Sequence, residues 1–147
     1  MVGYAPLTHP TKQCARIRDT TIELEFQVGD LHRSIFLKEV KDAFPDLRAG
    51  VNAQSGLLHM EMHVFADYVQ RAITLGNAKD VARCFKLAER YCRDGNNQMQ
   101  NAIAVSFVEH LDLRNAQWAW DLLGPILQKV YLQLADAGMA NPLPYLR

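Results

Sequence analysis

Two periods of apolar residues divide this chain. From Thr20 to Val28, "TTIELEFQV" alternates Ile22, Leu24, Phe26 and Val28 with Glu23, Glu25 and Gln27, the spacing of a strand with one buried face. A strand needs a partner, which can be the preceding "CARIR" as a hairpin, a second copy of the chain, or helices on which it docks as an extended arm. After Gly29-Asp30 the spacing changes to three and four. Asp30 can cap a helix carrying Leu31, Ile35, Val40 and Phe44, which must stop at Pro45 because proline disfavours helical backbone in the residue before it.

Further helices are predicted by the same pattern and its punctuation. Ser55 can cap one from about Gly56 to Leu75, closed by Gly76. Asn77 can cap the next, with Asp80 in its first turn and Gly95 past its end. "NQMQNAIAVSFVEHLDL" reads as one continuous helix, and about Asn115 to Ala137 as a last helical region that Pro125 breaks or kinks. The predicted fold is all-α: a single-domain bundle of about five helices, with an N-terminal arm or short strand over 1–30, a helical domain over 31–138 and a tail over 139–147. "FADYVQRAITLGN" and "FKLAERYCRDGN" both run from a Phe through a helix to Gly-Asn, an echo of stacked helical hairpins.

Composition narrows the function classes. The 147 residues amount to one domain with a sizeable core. Sixteen Lys and Arg balance sixteen Asp and Glu, so bulk charge draws the chain to neither nucleic acid nor an anionic membrane. The start, "MVGYAPLTHPTKQ", lacks the apolar core of a signal peptide, and no apolar run approaches the roughly twenty residues that span a bilayer. Cys14, Cys84 and Cys92 are odd in number and lack metal spacing, which suits a reducing compartment. A cytoplasmic protein is expected.

The chemistry-bearing residues fall into four groups. His59 and His63 are four apart, with Asp67 one turn on, and project from the polar side of their helix. The His-Glu order of a zinc protease is absent because Met60 follows His59, and further ligands are missing, so no metal is expected. Glu61 points toward the packed side, where a carboxylate needs a partner. His110, projected among Met99, Ile103 and Phe107, is the partner expected, the two forming a structural polar network across helices. No nucleophile, phosphate loop or third catalytic group accompanies them, so neither catalysis nor a cofactor is expected. Lys79, Arg83, Lys86, Arg90 and Arg93 form a basic ridge on the outer side of one helix, without the interleaved aromatics of a single-strand nucleic-acid platform. Finally, "HLDLRNAQWAWD" brings Asp112, Arg114, Trp118, Trp120 and Asp121 together, an aromatic anchor flanked by both signs of charge, as at a protein interface. Trp118 and Trp120 lie about 200° apart on a helix, so one of them is exposed unless the helix is packed on two sides.

Two segments, "LHMEMHVFADYVQRAI" and "NAIAVSFVEHLDL", resemble the signature of a family of small, mainly helical bacterial proteins, some of them encoded beside polymorphic toxin genes. The resemblance covers about residues 31 to 135 and implies that Glu61, Phe65, Glu109, His110 and Asp112 belong to the family pattern. It also implies a role: a cytosolic immunity protein that neutralises a cognate toxin by occlusion. The other reading is a helical adaptor or regulator that engages a cellular protein or nucleic acid through the basic ridge.

Overall fold

A computed structural model describes residues 11–17, 20–26 and 29–146, the first two segments by their backbone alone. β1 (Thr11–Ile17) and β2 (Thr20–Phe26) pair antiparallel, with Ala15 opposite Ile22 and Cys14 opposite Glu23. The hairpin with "CARIR" is therefore the form the strand takes; Gln27 and Val28 lie outside the described residues.

The rest of the chain is helical. α1 (Arg33–Ala43) begins after an extended His32, not at Asp30. Its first turn is delayed because Leu31 is held elsewhere: its N–H donates to the Asp94 carbonyl at 3.0 Å and its carbonyl accepts from Asn96 at 2.8 Å. A 3₁₀ turn over Pro45–Leu47 leads into α2 (Arg48–Ala53), a short helix additional to those predicted, which buries Leu47 and Val51. α3 (Leu58–Thr74) starts three residues past Ser55, because Gly56 at φ 89° interposes a left-handed turn that ends the approach to a cap.

Asn77 does cap α4 (Ala78–Asp94), its side chain accepting from the Asp80 N–H at 3.2 Å, and Gly76 closes α3 at φ 72°. α5 (Asn97–Ala102) is capped by Asn96 and passes into a π-helical segment, Ile103–Val108, which ends the helix short of Leu113. α6 (Gln117–Leu122) and α7 (Pro125–Asp136) are separated by extended Leu123 and Gly124, with Pro125 at the first position of α7, where its missing N–H costs nothing.

One core joins α1 to α7. Phe65 of α3 is at its centre, 5.7 Å from the Phe36 ring and 5.2 Å from Phe107, with Phe85 and Tyr91 of α4 closing the aromatic cluster. The α4–α7 contact is fixed by a carboxylate: Glu89 accepts the N–H groups of Ile126 and Leu127, both at 3.0 Å, capping α7 from a neighbouring helix. Gly124 leaves room for that carboxylate: a Cβ there would lie 2.4 Å from the Glu89 carboxyl carbon and push it from its place. The C-terminal tail folds back on this body, burying Leu143, while the Tyr131 hydroxyl donates to the Asn141 carbonyl at 2.7 Å. Among the described residues no helix is long and apolar enough to cross a membrane.

Candidate functional site

The expected Glu61–His110 network is replaced by two separate arrangements. Glu61 is buried, as its position among apolar neighbours requires, but its partner is Arg33: Nε and Nη2 each donate to a carboxylate oxygen at 2.8 Å. His110 is exposed and stacks on His63 with ring centroids 4.7 Å apart, its Nε2 3.6 Å from Asp67. The reason is the π-helical segment. An extra residue in a turn rotates the residues beyond it by about 100° relative to an α-helix, so a projection that faces His110 inward turns it outward. The same segment buries Ser106, whose hydroxyl is satisfied by His59 Nδ1 at 2.5 Å. Burial, and then the neighbouring His110, hold the His63 imidazole below its ordinary pKa. His59, His63 and Asp67 do share one side of α3, and among the described residues no three His, Cys, Asp or Glu side chains are grouped to hold a metal ion.

The basic ridge of α4 is largely engaged within the molecule. Arg83 donates to the Ala43 carbonyl at 3.1 Å and lies 4.7 Å over the Phe44 ring; Arg90 pairs with Glu39 at 2.9 Å; Arg93 pairs with Asp94 at 3.0 Å. Lys79 and Lys86 are the ridge cations without a partner among the described residues. Behind the ridge, burial pushes the Cys84 and Cys92 thiols up to about 12, leaving them protonated packing groups.

The segment from Asp112 to Asp121 divides. Trp120 is 7% exposed and packs edge-on against Tyr131 at 5.7 Å, so it belongs to the core rather than to a partner surface. Trp118, half-buried, lines a groove of about 450 Å³ with Gln70, Thr74, Leu75, Asp112 and Asn115. Asp112 and Arg114 close on each other at 2.7 Å at its rim, and Arg114 holds the Asp112 carboxyl below the usual carboxylate range. Asp121 is exposed. Two side chains tie this loop to the body: Gln70 Oε1 accepts the Asp112 N–H at 2.8 Å, and the Tyr145 hydroxyl donates to the Leu113 carbonyl at 2.7 Å.

Leu75, which lines the same groove, is 82% exposed and was not among the expected contact residues. The signal lies in the helix projection: Leu75 is two residues beyond core-facing Ile73, about 200° away, and so must face solvent. The site is a groove lined by an exposed leucine and a half-buried indole, with Asp112 and Arg114 paired beside it.

Neither curated proteins nor solved structures give a match. Residues 37–137, from α1 through α7, match the family described as Domain of unknown function (DUF7674), and the chain belongs to that family.

Proposed function

We propose that this protein acts by binding another protein through the Leu75–Trp118 edge, most concretely as an immunity protein that occludes a cognate bacterial toxin in the cytoplasm. The observation that carries the reading is the 82% exposure of Leu75 on the turn between α3 and α4, in the groove that Trp118 also lines. An apolar anchor on a rigid turn loses little conformational entropy on binding, and an indole beside it supplies contact area with a donor at its tip. The Asp112–Arg114 pair, with Asp67 and Arg71 on the neighbouring face of α3, gives a rim of alternating charge on which cognate specificity can be built. Occlusion makes and breaks no covalent bond: the edge covers the surface through which the toxin reaches its target.

Co-purification tests this. The proposal requires a neighbouring gene to encode a toxic product; the tagged chain, co-expressed with that product, is expected to elute as a stable complex, and Leu75→Asp is expected to release it while the chain stays folded. Recovery of the chain alone in the wild-type experiment would contradict it.

A further inference from the structure

At the other end of α3, about 20 Å from the Leu75 edge by helical rise, one face of α1 and the start of α2 enclose a second cleft, of about 420 Å³. Its walls carry four cations, Arg33, Lys38, Lys41 and Arg48, against the two carboxylates Asp42 and Glu61. Both carboxylates are already engaged. Asp42 takes Lys38 at 2.6 Å and Arg48 at 3.9 Å, and Glu61 takes Arg33. Lys41 has no partner carboxylate among the described residues.

The Arg33–Glu61 geometry gives this charge excess a direction. Glu61 occupies Nε and Nη2 of the guanidinium, while Nη1 makes no hydrogen bond among the described residues and the arginine side chain, lining the cleft, is 30% exposed. A buried acid that fixes an arginine's plane leaves the remaining edge as a preorganised donor, as outer-shell carboxylates do for binding groups in general. The hydroxyls of Ser34 and Ser55, also in the wall, make no hydrogen bond among the described residues. Guanidinium, ammonium and hydroxyl groups from α1, α2 and the loop before α3 thus line one cleft. A planar carboxylate is served by one guanidinium edge, whereas donors on several sides suit the three acceptor oxygens of a tetrahedral phosphoryl group.

We propose that this cleft binds a phosphoryl group, free or carried on a small molecule. The chain as a whole is neutral, so the attraction is local to the cleft and distinct from the toxin-binding edge.

The test is an amide NMR titration of the full chain at about pH 7, where a phosphomonoester is mostly dianionic and inorganic phosphate is divided between mono- and dianion. Sodium phosphate and O-phosphoserine are the probes, with acetate and chloride at matched ionic strength as controls. Shifts confined to α1, α2 and residues near Ser55, saturating on the order of millimolar probe, are expected with phosphate and absent with the controls. Saturation by both probes identifies the phosphoryl group as what is recognised, and saturation by inorganic phosphate alone identifies the free anion. Lys41→Ala with Arg48→Ala is expected to weaken binding on the order of tenfold. Neither residue touches the Arg33–Glu61 pair; should the double variant lose its fold, Lys41→Gln carries the same comparison. Shifts that fail to saturate, that acetate reproduces, or that the variants leave unchanged would overturn the proposal.

Discussion

Arg33 and Glu61, 28 residues apart in the chain, meet through two parallel hydrogen bonds of 2.8 Å, the carboxylate 2% exposed and the guanidinium 30%. The asymmetry of exposure predicts an asymmetry of mutation. Arg33→Leu strands a buried carboxylate and is expected to cost about 3 kcal/mol, whereas Glu61→Leu leaves a cation that can turn to water and should cost less. The double variant, with no charge left to strand, should be more stable than Arg33→Leu alone. Urea unfolding of the three variants decides it; equal, additive losses would mean that the pair is not a unit.

Glu89 and Gly124 give a second coupled pair. Glu89→Ala removes the acceptor of two α7 amides and is expected to destabilise by about 1 to 3 kcal/mol. Gly124→Ala should also destabilise, because its methyl group displaces the Glu89 carboxylate. In the Glu89→Ala background that second effect should largely vanish. A Gly124→Ala cost that persists there would place its origin in the backbone instead.

Stability should fall with pH before the carboxylates titrate. The His63 pKa is held below its ordinary 6.5 by burial and by the stacked His110, with Asp67 opposing. The unfolded chain therefore binds more protons at this site than the native one, so the contribution is fully present above pH 6.5 and is lost as pH falls through the lowered native value. Asp42 and Asp112 have native pKa values below the ordinary 3.8, so their losses come later. Denaturant midpoints measured from pH 7.5 downward, about a unit above the imidazole range, should decline from 6.5, and His110→Ala should flatten the decline. An unchanged slope in that variant would remove the stacked pair as its cause.

The two tryptophans should separate cleanly. Trp120→Ala empties a core position against Tyr131 and is expected to cost about 3 to 5 kcal/mol. Trp118→Ala, on the groove wall, should cost about 1 kcal/mol. Thermal unfolding of both checks this, and comparable losses would make Trp118 a core residue as well.

The features legible in the sequence have local causes. Gly76 and Asn77 mark a helix end and start because a left-handed glycine and an Asx cap act within three residues, and Pro125 separates α6 from α7 for the same kind of reason. The inward facing of Glu61 was legible too, since α3 is regular over its length. The features that escaped are non-local or break the period. No pattern joins Arg33 to Glu61 across the intervening helix, and Leu31 leaves α1 because of backbone partners in the Asp94–Asn96 turn. The π-helical segment misdirected His110 because a 3.6-residue projection has no means of registering one extra residue in a turn. Of the residues expected together at Asp112, Arg114, Trp118, Trp120 and Asp121, Asp112 and Trp118 line one groove and Trp120 is core, while Leu75, the most exposed large apolar residue among those described, lines that groove from the end of α3 and no local pattern joined it to them.

The proposed immunity is tested most directly by growth of cells that express the product of the gene neighbouring this one, with and without the chain; the proposal requires that product to arrest growth on its own. Wild-type protein is expected to restore growth. Leu75→Asp is expected to abolish the rescue, and Trp118→Ala to weaken binding by at least about 2 kcal/mol, the size of an interface hot spot, each variant keeping its melting temperature within a few degrees of the wild type, the shift that about 1 kcal/mol produces. Continued growth arrest with the wild-type chain, or full rescue by a folded Leu75→Asp variant, would contradict immunity through this edge.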